Sequence, residues 1–296
     1  MSVTVLFYCV FLCQIFVMSV YYPAQIHARI STVLRKYPPQ THPKFYPAPF
    51  DKLAGFQGAR TLFYFALING MTAGIGICIL LYALQAGYKP SGNGEELLVT
   101  IFFFVQAAPQ LLLELSTFRH FRKMRQARSQ SQRSASLTPR HLSDYAPRPM
   151  IWMALIFTLI CISFFIYTDL ILNHRPMSAA TSIFAVVLTN GFFIFMVRFF
   201  MRGPKLDPWQ KTADRFKHAR TQIRIYFVAS IGMSVFLFLD NLVKLLDIAF
   251  LQPVIFSIFF QLLVIFGLGT MLRTLELDDI DFDVYRKGGE GSSKAG

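Results

Sequence analysis

Seven long apolar stretches divide this 296-residue chain, and its basic residues crowd into alternate connections between them. Of the 29 lysines and arginines, only Lys89, Arg175 and Lys244 fall on the other side. Crossing hydrocarbon takes roughly 20 apolar residues of helix. Runs of that length occur at about 3–22, 61–86, 97–117, 150–172, 179–201, 225–247 and 253–272. Backbone polar groups in lipid must pair within their own segment, so each run is expected to be a helix. The expected fold is an all-α integral membrane protein with seven transmembrane helices: one helix, then three helical hairpins. The connections 21–60, 118–149 and 202–224 carry six, eight and seven Lys/Arg. The positive-inside bias then puts the N-terminus outside and the C-terminus in the cytoplasm, as a multi-pass protein of the cytoplasmic (inner) membrane.

Composition agrees. Hydrophobic residues make up 54% and charged residues 15%, too few charges to coat a soluble exterior. The net charge of +13 sits in loops that hug apolar helices, so the expected partners are the bilayer and its anionic headgroups, not nucleic acid. Cys9, Cys13, Cys78 and Cys161 all lie inside apolar runs with no disulfide or zinc spacing. There is no Asn-x-Ser/Thr sequon, which fits a bacterial membrane protein. The first run lacks a basic leader, and Tyr21-Tyr22-Pro23 follows it in place of a small-residue cleavage site, so a retained helix is expected.

The connections differ in character. After Pro23, the residues Ile26, Ile30, Val33, Leu34 and Tyr37 recur at helical spacing among Arg29, Arg35 and Lys36. That pattern predicts a separate amphipathic helix on the headgroups, within a basic, proline-rich cytoplasmic loop over 23–60. The loop 118–149 is rich in Arg, Ser and Gln. The serines in Arg133-Ser134-Ala135-Ser136 would suit a phosphorylation-released anchor, although a plain membrane-hugging loop is the simpler account. The tail over 273–296, with Asp278, Asp279, Asp281 and Asp283, is expected to be flexible and lacks calcium-loop spacing.

Polar residues at membrane depth are costly, and they are the best pointers to a site. Gln106, Gln110 and Glu114 share one helical face beside Pro109. They form either a hydrated path ending at Glu114 or interhelical hydrogen-bonding glue. Ser230, Ser234, Asn241 and Lys244 fall on a narrow arc, flanked by Asp240 and Asp247. Asp240 and Lys244 are four apart in the favourable acid-first order. With Asp169 they suggest either a cation- or proton-coupled site or an ion-pair network between helices. Ala66, Gly70 and Gly74 repeat at four-residue spacing and read as a packing seam, within the chain or toward a second copy.

No nucleophile-elbow, zincin, P-loop or dinucleotide motif is present, and the six histidines are scattered. Neither an enzyme nor a cofactor is expected. The leading expectation is a non-enzymatic accessory or scaffold component. The alternative is a small-solute or ion-coupled transporter built around Asp240, Lys244 and Asp169.

Overall fold

The computed structural model describes residues 3–46, 54–91, 94–127, 141–174, 176–203, 207, 209, 212–274, 277 and 281–286, with side chains for all but 54–59, 123–127 and 212. Arg175, Pro47, Pro49, the 133–136 stretch, Asp278 and Asp279 lie outside them. The described residues are 88% helical and contain no strand, and seven of their helices are long and apolar enough to cross a membrane. In chain order these are α1 (Val3–Lys36), α2 (Ala54–Gln85), α3 (Glu95–Ala127), α4 (Arg148–Leu172), α5 (Pro176–Arg202), α6 (Thr212–Leu245) and α7 (Ala249–Thr274).

The first helix departs from the sequence expectation. The apolar run and the amphipathic stretch form one continuous helix of 34 residues, about 51 Å long at 1.5 Å per residue. Pro23 does not break it, because the π-helical turn Val17–Tyr21 precedes the ring and the Tyr22 N–H bonds Val17 O. That wider turn relieves the clash between a proline ring and the preceding carbonyls. Similar π turns occur at Ile166–Leu172 in α4 and Ile265–Gly269 in α7. Gly269 lies against the Tyr22 ring, where a Cβ would meet the hydroxyl at 2.5 Å.

The helices pack as two groups. α1, α2, α3 and α7 form one, with α7 seated against both α1 and α3. α4, α5 and α6 form the other, and α6 joins the groups along α7. Phenylalanines fill the first core: Phe103 stacks on Phe260 at 4.0 Å, and Phe11 meets Phe102 at 5.3 Å. Cys161, Phe165 and Val186 centre the second. Large apolar side chains such as Phe63, Met71, Leu98 and Ile194 face outward, as hydrocarbon solvent allows. Exposed Trp152 stands near the start of α4, a position that suits a membrane interface.

The rotation of α2 follows the amide at its middle. Asn69 is buried and donates to Phe65 O at 2.7 Å. Turning it inward brings Leu62, Phe65, Thr72, Ala73 and Gly76 to the same buried face. Ala66, Gly70 and Gly74 then point outward, with nothing within 4 Å of a Cβ built on either glycine. Among the described residues, nothing packs closely against Gly70 or Gly74. Close approach occurs at Gly76, where a Cβ would sit 2.6 Å from Phe102 Cζ and 3.0 Å from Ile15. Gly76→Leu is therefore expected to cost about 1–3 kcal/mol through overpacking. Gly70→Leu on the outer face should change stability by about 0.5 kcal/mol or less. Thermal unfolding of both variants in detergent checks the contrast.

Candidate functional site

Among the described residues, the polar regions that interrupt the apolar bundle include an amide core in the first group, an acid-centred clasp at the turn between α6 and α7, and a cavity at the basic end.

The amide core holds Gln14, Gln106 and Ser257, all 0% exposed. Gln14 Nε2 donates to Gln106 Oε1 at 2.9 Å, and Ser257 Oγ donates to Gln14 Oε1 at 2.6 Å. Gln106 Nε2 donates to Ser19 Oγ at 2.9 Å. Gln261 Nε2 reaches Val10 O at 3.0 Å and Ser257 O at 3.2 Å. Gln110 Nε2 makes longer contacts, 3.3 Å to Met18 O and 3.4 Å to Asn69 Oδ1, and its Oε1 is buried without a partner. Together these bonds tie α1, α2, α3 and α7.

The face carrying Gln106, Gln110 and Glu114 is thus split. Both glutamines enter the amide core, whereas Glu114 is exposed, within electrostatic reach of Tyr226 on α6. Gln14, Ser257 and Gln261 belong to the core although the charge and hydropathy pattern does not single them out. A lone glutamine in the first apolar run, and Ser257 with Gln261 at i, i+4, were the available signals.

The residues grouped around Asp240 meet different partners. Asp240 is 7% exposed, accepting from Lys244 Nζ at 2.8 Å and from Gln252 Nε2 at 2.7 Å. Gln252 opens the regular part of α7, so the carboxylate clasps the α6–α7 turn. The Lys244 side chain is 54% exposed, which marks this as a rim pair. Asp247 lies exposed in the turn at φ +58°, and Asn241 Nδ2 bonds Leu237 O of its own helix at 3.1 Å. Ser230 reaches Asn190 on α5 at 2.5 Å, and Ser234 lies 3.4 Å from Thr158 on α4. Asp169 sits in the π turn of α4 and accepts from Ser178 Oγ at 3.1 Å. Ser178 is in the first turn of α5, where a carboxylate meets the positive end of the helix dipole. Among the described residues, no hydrogen bond or ion pair joins Asp169 to Asp240.

At the basic end, a cavity of about 400 Å³ lies between the two groups. Arg29 of α1, Phe121 of α3, Phe200 of α5, and Asp214 and His218 of α6 contribute to its wall. The C-terminal segment supplies another side. Flexibility was expected there, yet Phe282–Tyr285 forms a 3₁₀ turn with Phe282 7% and Tyr285 5% exposed. Aromatic burial supplies the reason: Phe282 stacks on Tyr37 at 4.0 Å, and Tyr285 meets Phe45 edge-on at 5.1 Å. The Tyr285 hydroxyl donates to buried Asp207, whose other oxygen accepts from Trp209 N at 2.9 Å. Lys44 Nζ stands 4.6 Å over the Trp209 ring, and His120 Nε2 lies 2.9 Å from Phe45 O.

Burial, and then the neighbouring Asp207 carboxylate, push the Tyr285 phenol well above its ordinary value of 10.0. Among the described residues, no group of three or more His, Cys, Asp or Glu is placed to hold a metal. Comparison with protein-family models, curated proteins and solved structures found no match to this chain.

Two outcomes follow. Gln14→Leu leaves Gln106 Oε1 without its donor and the Ser257 hydroxyl proton without its acceptor, and is expected to cost about 1–3 kcal/mol. The double variant with Gln106→Leu should cost less than the sum of the single variants, because both partners leave together. Equilibrium unfolding in mixed detergent reads this. Because the docked Tyr285 stays neutral, its contribution is complete below pH 10 and lost as the pH rises through its raised value. Hydrogen exchange of 282–285 should therefore accelerate above pH 10 in the wild type, beyond the intrinsic chemical increase. Tyr285→Phe should not show this excess.

Proposed function

We propose that this chain is a non-enzymatic accessory or scaffold component of a cytoplasmic membrane. Its N-terminus lies outside, and its basic end rests in the cytoplasm on anionic headgroups. The closed amide core is the observation that supports this reading most. Gln14, Gln106 and Ser257 bond one another and are fully enclosed. Carboxamides and hydroxyls do not titrate near neutrality, so this part of the Gln106, Gln110 and Glu114 face holds no proton and lines no open path. Asp240 has two partners that fasten a turn, and Asp169 has one at a helix start. Each acid thus has a structural task. In this reading the chain enters the membrane as α1 followed by the hairpins α2/α3, α4/α5 and α6/α7.

Solute transport is the second reading, and it draws on the basic-end cavity alone. Its volume of about 400 Å³ lies within the range of small-molecule sites.

Orientation is tested by placing Ser91→Cys and Ser143→Cys in a background without native cysteines. An impermeant maleimide should label the first in intact cells and the second only after permeabilisation; the reverse would overturn the orientation. The functional reading predicts that Asp240→Asn and Lys244→Met each impair assembly, and that the double variant restores it. Purification in mild detergent should retain a fixed membrane-protein partner. Variants that assemble normally yet lose a solute-dependent phenotype would overturn the scaffold reading.

A further inference from the structure

The cavity at the basic end is closed in part by the chain's own C-terminal segment, and beside that closure lies a histidine with an unusual environment. Leu277, Asp281, Phe282 and Tyr285 all contribute to the cavity wall. The turn Phe282–Tyr285 packs on Pro43–Phe45, the residues that directly follow His42. His42 is only 4% exposed, and Tyr37 meets its ring edge-on at 5.0 Å.

Thr41 Oγ1 lies 2.8 Å from His42 Nδ1 and 3.2 Å from Pro38 O, which also accepts from the Thr41 and His42 N–H groups. Nδ1 therefore has a hydroxyl partner in either tautomer, whereas Nε2 is buried with no partner. The imidazolium carries a hydrogen on both nitrogens, so its Nε2–H would be buried without an acceptor, in a charged ring taken out of water.

We propose that residues 281–286 form an acid-sensitive strap over the cavity, docked while His42 is neutral and released when His42 takes a proton. The charged and titratable surroundings agree in direction. Burial lowers the affinity of His42 for a proton below its ordinary value of 6.5; Arg286 of the strap adds to this, and Asp283 opposes it. Asp283 is itself paired with Arg286 at 3.1 Å, which divides its pull. On the His42 side, Lys44 is held over the Trp209 ring and Lys36 lies 5.7 Å from the Tyr37 ring.

The sign follows by linkage. The released state binds the proton better than the docked state, so docking is complete above pH 6.5 and weakens as the pH falls below it. Release removes one side of the cavity and frees two aromatic side chains. The device therefore couples acidification to access at the boundary between the two helix groups.

The chain has two tryptophans, and Trp209 packs beside Phe282 in the strap's aromatic cluster. A full-length Trp152→Phe protein in nanodiscs therefore reports docking through Trp209 emission. Hydrogen exchange over 281–286, corrected for intrinsic rates, gives a second readout. Between pH 7.5 and 5.5 the emission should shift, and strap exchange should rise about fivefold or more while the transmembrane helices stay protected. Phe282→Asp with Tyr285→Asp supplies the released reference at every pH.

His42→Gln and His42→Phe are two non-titrating replacements, so one serves if the other folds poorly. Either should abolish the acid transition. The proposal fails if the wild type shows no transition, if the transition persists without His42, or if strap and helices open together.

Discussion

Gln14 is bonded on both sides at once, giving a proton to Gln106 on α3 and accepting one from Ser257 on α7. Interhelical hydrogen bonds in bilayers average only about 0.6 kcal/mol each. An orphaned buried polar group costs about 1–3 kcal/mol. That asymmetry makes the amide core a device for choosing neighbours. Apolar helices in lipid have little reason to prefer one partner, since the tails are as apolar as leucine. Once Gln14 is buried, however, α1, α3 and α7 must meet, and Gln110 with Asn69 brings in α2. The stacked phenylalanines fill the arrangement that the amides select.

The second group uses smaller polar links with the same logic. Ser230 with Asn190 and Ser234 beside Thr158 join α6 to its two neighbours. Asp240 stands where α6 turns into α7, and so where the two groups meet. Its pairing with Gln252 holds the short turn, while Lys244 reaches outward toward water. Charged groups are kept to ends and rims where solvent lowers their cost, and uncharged amides occupy the interior.

The basic end completes the assembly differently, with aromatic burial around Asp207. Phe45, Phe282 and Tyr285 come from segments far apart in sequence and meet over Asp207, Trp209 and the end of α1. The long first helix makes this possible. By continuing through Pro23, it brings Val33, and Tyr37 just past its end, to form one wall of the cluster.

The number of apolar helices was legible in the sequence, because hydropathy acts on each segment separately. The cost of intramembrane polar groups was legible too, so Gln106, Gln110, Asp240 and Lys244 stood out, and the Asp240–Lys244 pair is local to one helix. Helix rotation and neighbour choice were not. Whether Ala66, Gly70 and Gly74 face a helix or lipid depends on where Asn69 finds its partner. Whether Asp169 joins Asp240 depends on how α4 and α6 are turned. Pro23 read as a break because the π turn that accommodates it leaves no mark in composition, and the acidic tail read as loose because its aromatic slots lie on other segments. Segment-by-segment solvation set the seven apolar helices from the sequence alone. Long-range pairing of a few polar and aromatic groups, which exists only once the helices are packed, decided the core, the clasp and the strap.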